Sequence, residues 1–241
     1  MRILSIDSSG LVASVAVTDD DILIAEYTIC YKKTHSQTLV PMMDEIRRMT
    51  ELDLESIDAI AVAKGPGSFT GLRIGSATAK GLGLALDKPI IPVPTVDGLA
   101  YRCYGTDKLV CPLMDARRSQ VYTGIYEFLR KDAGAGTSYR LHTIREQCAV
   151  PIEEVLGALN ELGREVIFLG DGVPVFEGRI AELMKVPYSF APAHMRLQSA
   201  AAVAVRARAL YEEGVFETAA AHQPEYLRLS QAERERMEAA R

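Results

Sequence analysis

The chain has 241 residues, enough for two compact lobes or one large α/β domain, and its 48% apolar and 24% charged residues are ordinary for a globular protein with a sizeable core. A net charge of −5 argues against strong independent nucleic-acid binding, which needs a basic surface to neutralise phosphates. Cys30, Cys103, Cys111 and Cys148 form no CxxC pair, which excludes a zinc knuckle or redox motif of that spacing. Two of them lie in apolar surroundings, where cysteine acts as a small hydrophobe. With no leader-like pattern after Met1 and no apolar run of roughly 18 residues, no membrane span is expected and cytoplasmic residence is the default.

Arg2–Asp7, Val12–Val17 and Ile22–Ile29 read as strands, separated by the turns Ser8-Ser9-Gly10 and Asp19-Asp20-Asp21. Connections this short favour an antiparallel meander. A helix over 35–50 is predicted by Leu39, Met42, Met43, Ile46 and Met49 at helical spacing. Thr34 and Gln37 have the spacing of a capping box. Pro41 implies either a start nearer Thr38 or a kink in the first turns. Ala59–Ala63 reads as a buried strand broken by Gly65-Pro66-Gly67, then a helix from Ser68, its N-cap, to Leu86. The strand Ile90–Val93 and a short helix capped by Thr95 complete this half.

The second half repeats the order. Leu109–Met114, Gln120–Phe128 and about Ser138–Arg145 read as strands, with Asp132–Gly136 as a loop without chemistry. Pro151–Leu162 reads as a helix with Pro at its start, Val166–Leu169 as a strand ended by Gly170-Asp171-Gly172, and Pro174–Met184 as a helix. Pro187–Phe190 is a short strand and Leu197–Tyr211 a long Ala-rich helix; the charged tail from Ala232 reads as solvated. Both halves therefore read βββαβαβα, a meander extended by crossover strands, with helices on the sheet faces. Two such lobes make the two-lobed actin-like α/β architecture shared by Hsp70 and sugar kinases. The expected division is 1–104 and 105–196, with a junction near 102–108, a final helix at about 197–213 free to pack back on the first lobe, and a C-terminal segment 214–241.

Three segments are candidates for chemistry. Asp7, Ser8 and Ser9 end the first strand, where hydroxyls and backbone N–H groups can meet phosphate and a carboxylate can hold hydrated Mg²⁺; a polar hairpin turn is the plainer reading. Asp115, followed by Arg117 and Arg118, opens the second lobe in the same way, or forms a surface pair. The run Gly65-Pro66-Gly67-Ser68-Phe69-Thr70-Gly71-Leu72-Arg73-Ile74-Gly75 opens a helix and lacks the GK[ST] of a Walker A loop. Within that helix Gly71, Gly75, Ala79 and Gly83 form a bare stripe. Glycine inside a helix costs about 1 kcal/mol relative to Ala, so close approach of another backbone is implied. That backbone belongs either to the chain's own sheet or to a helix of another molecule. His35, His142, His194 and His222 stand apart, no H-x-x-x-H pair or G-x-S-x-G elbow occurs, and no nucleophile–base–orienter set is visible.

With those segments in hand, the chain closely resembles the bacterial TsaB (YeaZ) family of tRNA threonylcarbamoyladenosine biosynthesis proteins. The resemblance rests above all on GPGSFTGLRIG at 65–75, continued by Ala79-Lys80-Gly81-Leu82. LSIDSS at 4–9, Thr34-His35-Ser36, Asp115-Ala116-Arg117 with Tyr122, and Pro224-Glu225-Tyr226-Leu227-Arg228 support it. Ser8 stands where the family often has Thr, which keeps a hydroxyl. The resemblance implies an actin-like fold and a non-catalytic subunit that activates a TsaD-type transferase. That enzyme modifies adenosine 37 of tRNAs reading codons that begin with A. It also implies a TsaE-type ATPase in the complex, a homodimer when the chain is alone, and tRNA contact only through the complex. This chain would need no cofactor, with ATP and Mg²⁺ entering at the level of the complex. The family's interface uses its first two helices, which here carry His35, Leu39, Met42, Met43, Ile46, Phe69, Gly71, Leu72, Arg73, Gly75, Ala79 and Gly83. The alternatives are a stand-alone actin-like ATPase or kinase using Asp7 and Asp115, and a peptidase.

Overall fold

The computed structural model describes residues 1–31, 34–133 and 136–228. Three strands, β1 (Arg2–Asp7), β2 (Ala13–Asp19) and β3 (Ile22–Ile29), form the meander. Helix α1 (His35–Thr50) leads to β4 (Ala59–Gly65), and α2 (Phe69–Leu86) leads to β5 (Ile90–Pro94). The sheet order is β3-β2-β1-β4-β5, with β1 antiparallel to β2 and parallel to β4. Helix α3 (Thr95–Ala100) and a 3-10 turn over Tyr101–Cys103 pass the chain to the second sheet.

That sheet is built from β6 (Leu109–Asp115), β7 (Gln120–Ala133), β8 (Gly136–Pro151), β9 (Val166–Leu169) and β10 (Tyr188–Phe190). Its order, β8-β7-β6-β9-β10, repeats that of the first. Helices α4 (Ile152–Leu162) and α5 (Val173–Leu183) are the counterparts of α1 and α2. The short α6 (Ala193–Arg196) precedes α7 (Ala200–Glu212).

One face of the first sheet packs Leu4, Ile6, Val15 and Ile60 against Leu39, Met42 and Ile46 of α1. Full burial of each such side chain contributes about 1.5–3 kcal/mol. The opposite face is covered by α7, whose Val203, Ala207 and Leu210 meet Ile3, Ala61 and Val93. The last long helix thus returns to the first sheet. There Arg206 bonds Asp97 of α3 at 3.2 Å.

Three local expectations are corrected. Thr34 occupies the α1 N-cap without a side-chain bond, and the Gln37 N–H goes to the Thr34 carbonyl at 2.9 Å, so no capping box forms. The helix predicted over 35–50 is observed as His35–Thr50 with Pro41 inside it, which leaves aside the alternative start near Thr38. Thr95 does not cap α3; it is the first helical residue, and its hydroxyl accepts the Gly65 N–H at 3.1 Å. The predicted helix from Leu197 begins only at Ala200, because Leu197 and Ser199 are extended and the Ser199 hydroxyl caps the Ala202 N–H.

The largest difference lies in the second hairpin. β7 and β8 stay paired from Gln120↔Pro151 out to Ala133↔Gly136, through much of the segment predicted as a loop. Hydrogen bonding across an antiparallel ladder does not require apolar side chains, so polar composition hid the extension. Residues 134 and 135 and the tail from Ala232 lie outside the described residues.

Candidate functional site: the interlobe cleft and the α1–α2 face

The strands β1 and β6 end side by side with the loops that follow β4 and β9. This is the carboxyl edge of the parallel strands, where α/β sheets place ligands. Each loop opens on a glycine with positive φ, +126° at Gly65 and +105° at Gly170. A Cβ at Gly170 would lie 2.1 Å from the Leu113 carbonyl oxygen, which explains the requirement for glycine. In each lobe this loop bonds back to the first strand or the turn after it: Ser68 N–H donates to the Ser9 carbonyl at 2.7 Å, and Gly172 N–H to the Leu113 carbonyl at 2.9 Å. The cleft between these edges has a volume of about 430 Å³ and is lined by Ser9, Phe69, Asp115, Arg118, Asp171 and Tyr226 among others.

The four predicted cleft residues do not act together. Asp7 is buried, and its Oδ1 accepts the Ser9 N–H at 2.9 Å and the Ser9 hydroxyl at 2.6 Å. Burial pushes its pKa up to about 6, against the downward pull of those two bonds. Ser8 turns away from the cleft and donates to the Gly71 carbonyl at 2.8 Å. Ser9 and Asp115 do line the cleft. Asp115 accepts the Arg117 N–H at 2.8 Å inside a tight β6–β7 turn, where Arg117, Arg118 and Ser119 all have positive φ. Asp7, with its Oδ1 held by Ser9, is not among the residues that line the cleft, whereas Asp115 is. Among the described residues no group of three or more His, Cys, Asp or Glu side chains converges as metal ligands.

The bare stripe of α2 faces inward. A Cβ on Gly71 would lie 2.1 Å from the Ser8 carbonyl oxygen, on Gly75 2.4 Å from the Ser8 hydroxyl, and on Gly83 2.7 Å from Ala219 Cβ. These positions and Ala79 serve close packing on the chain's own strand and C-terminal segment. The expectation of a partner seam along them is corrected. Leu39, Met42, Ile46 and Leu72 are likewise buried in this chain, while His35, Met43 and Phe69 are half-buried and Arg73 is exposed. His35 Nε2 lies 2.9 Å from the Gly10 carbonyl. What α1 and α2 present outward is a groove of about 350 Å³, with Val40, Met43 and Arg47 on one side and Ala77, Gly81 and Leu82 on the other. Val40 and, further along α2, Leu84 are largely exposed.

Sequence reasoning missed three features. Asp171 accepts the Asp115 N–H at 3.2 Å, and burial, reinforced by the Asp115 charge, raises its pKa. Its only signal was its place after β9, matching the Gly65-Pro66-Gly67 turn after β4. Next, residues 224–228 cross the cleft, with Tyr226 stacked on Phe69 at 4.3 Å between ring centroids. Last, Ser76 Oγ lies 2.5 Å from His222 Nε2, and His222 Nδ1 lies 2.7 Å from Glu217 Oε1. This row has the order of a nucleophile, base and orienter, which sequence reading did not find. Ser76 and His222 are both buried, so the row tethers the C-terminal segment to α2 and offers a substrate no approach. Lys80 adds bonds to the Ala220 and His222 carbonyls at 3.0 and 2.9 Å.

Two five-stranded mixed sheets of the same order, with a cleft where their first strands end, define a two-lobed actin-like protein. A family model described as TsaD, tRNA N6-adenosine threonylcarbamoyltransferase, matches residues 23–236. The tRNA threonylcarbamoyladenosine biosynthesis protein TsaB of Bacillus subtilis is 35% identical over 76% of this chain and 77% of its own. TsaB of Escherichia coli is 37% identical over 71% of this chain and 72% of its own. The solved structure of YeaZ from Pseudomonas aeruginosa superposes with a TM-score of 0.75 at 26% identity, covering 94% of this chain and all of that one. The chain belongs to this family, on its TsaB (YeaZ) branch. No helix among the described residues is long and apolar enough to cross a membrane.

Proposed function

We propose that this chain serves N6-threonylcarbamoyladenosine formation at adenosine 37 of tRNAs reading codons that begin with A, as a non-catalytic subunit in the cytoplasm. It heterodimerises with a TsaD-type transferase and activates it, with a TsaE-type ATPase in the same complex, and pairs with itself when alone. Membership of the TsaB branch supports the pathway. The observation that carries the subunit reading is the exposed apolar groove between α1 and α2, bordered by Val40, Met43, Ala77, Gly81 and Leu82. A Cβ on Gly81 meets nothing within 4 Å, so a partner helix can approach α2 there as closely as β1 approaches its inner face. Homodimer and heterodimer use one surface and so compete by mass action.

The test is reconstitution with tRNA, threonylcarbamoyl-adenylate, a TsaD-type transferase, a TsaE-type ATPase and ATP. Modified adenosine should form only when this chain and the transferase are both present. Gly81→Arg should abolish co-elution with the transferase and the modification, while the monomer melts no lower than the wild type. Equal modification without this chain refutes the reading. Normal pairing by Gly81→Arg moves the interface elsewhere.

A further inference from the structure

The segment Pro224–Arg228 joins the two lobes across the cleft. On the first lobe, Glu225 N–H donates to the Lys64 carbonyl at 2.7 Å, and its carboxylate meets Lys64 Nζ at 2.8 Å. Tyr226 stacks on Phe69, its hydroxyl accepts Arg73 Nε at 3.3 Å, and the Arg73 guanidinium lies over the other ring at 4.1 Å. On the second lobe, the Arg228 guanidinium donates to the carbonyls of Ala116 and Arg117 in the β6–β7 turn. Gln147 of β8 donates to the Glu225 carboxylate at 3.3 Å. One carboxylate therefore holds a group from each lobe, and Tyr226, Leu227 and Arg228 form part of the cleft wall.

In a two-lobed hinge protein, a ligand lodged between the lobes ordinarily selects the closed state through contacts to both. Here the chain makes such contacts with itself, at the same place, while Asp7 is buried and does not line the cleft. We propose that Pro224–Arg228 is an intramolecular clamp that sets the angle between the lobes and makes closure independent of any bound ligand. The clamp's first-lobe anchors, Phe69 and Arg73, stand on the first turns of α2, so the clamp also ties the α2 face to the second lobe.

Spin labels on the full-length chain test this. Glu51→Cys on the first lobe and Glu161→Cys on the second, both exposed, carry the labels in a background with Cys30→Ser and Cys148→Ala. The unmodified clamp should give a narrow distance distribution that Mg²⁺-ADP leaves unchanged. Tyr226→Ala and Arg228→Ala should each broaden it and shift it to longer distance, and the double variant more so. Hydrogen exchange at Ser9–Leu11 and Gly67–Phe69 should quicken in parallel. Arg48→Ala, which removes an exposed pair with Glu45, serves as the control and should change nothing. An unchanged distribution in the double variant overturns the clamp. So does a wild-type distribution that narrows on adding Mg²⁺-ADP, since closure would then depend on a ligand. Arg228→Ala removes one surface guanidinium and leaves the cores intact, so its result stands even where Tyr226→Ala unfolds.

Discussion

A buried and an exposed glycine of α2, Gly71 and Gly81, should respond to the same substitution with opposite signs. In Gly71→Ala the new methyl would lie 2.1 Å from the Ser8 carbonyl oxygen and 3.3 Å from His35 Cδ2. A backbone oxygen cannot rotate aside, so α2 must lift from the end of β1, straining the Ser8–Gly71 bond. Overpacking of this kind costs about 1–3 kcal/mol, and the clash falls at the upper end. The gain in helix propensity offsets at most about 1 kcal/mol, leaving a net loss of about 2 kcal/mol. For a chain of this size each kcal/mol moves Tm by about 2–4 °C, so Gly71→Ala should melt about 4–8 °C lower. In Gly81→Ala the methyl meets nothing within 4 Å, so only the propensity gain remains and Tm should rise by about 2–4 °C. Thermal melts of the three proteins at one concentration decide the matter, given the concentration dependence of any homodimer. A Gly71→Ala variant as stable as the wild type would refute the packing of α2 on β1 described above.

Asp7→Asn should flatten the pH dependence of stability between about pH 4 and 6. The folded carboxyl titrates at about 6 against 3.8 for the ordinary group, so folding takes up a proton in that window and stability falls as pH rises through it. The full shift corresponds to about 3 kcal/mol, which Asn recovers above pH 6; urea melts at pH 4.5 and 7.5 measure it. His222→Ala strands the Ser76 hydroxyl, leaves a cavity and should cost about 3 kcal/mol, with faster hydrogen exchange over 215–228. Cys30 is exposed and should react first with a thiol reagent. Burial pushes Cys103 and Cys111 up to about 11 and about 12, so both should stay unreactive until the chain unfolds.

Much of the fold was legible because its signals are local. The spacing of Leu39, Met42 and Ile46 marks the inner face of α1, and the turn residues between β1, β2 and β3 mark a meander. The stripe Gly71, Gly75, Ala79, Gly83 was visible, but its direction was not. Glycine permits close approach equally to one's own strand and to a foreign helix, and only the position of Ser8 decides between them. Asp7 and Asp115 are the last residues of β1 and β6, yet which groups a buried carboxylate engages depends on its neighbours in space, for Asp7 the Ser9 hydroxyl. His222 and Tyr226 lie past the last periodic element, and their partners Ser76 and Phe69 are some 150 residues away, 146 between Ser76 and His222. No spacing rule reaches that far.

The return of α7 to the first sheet has a consequence for how the chain is made. Ile3, Ala59, Ala61 and Val93 are all translated early, yet their cover, Val203, Ala207 and Leu210, emerges from the ribosome roughly a hundred residues later. At about 5–20 residues per second that delay is on the order of 5–20 s. The second sheet, whose strands and helices are contiguous between Leu109 and Phe190, can finish folding within the interval. The half that is synthesised first is therefore the half that is completed last.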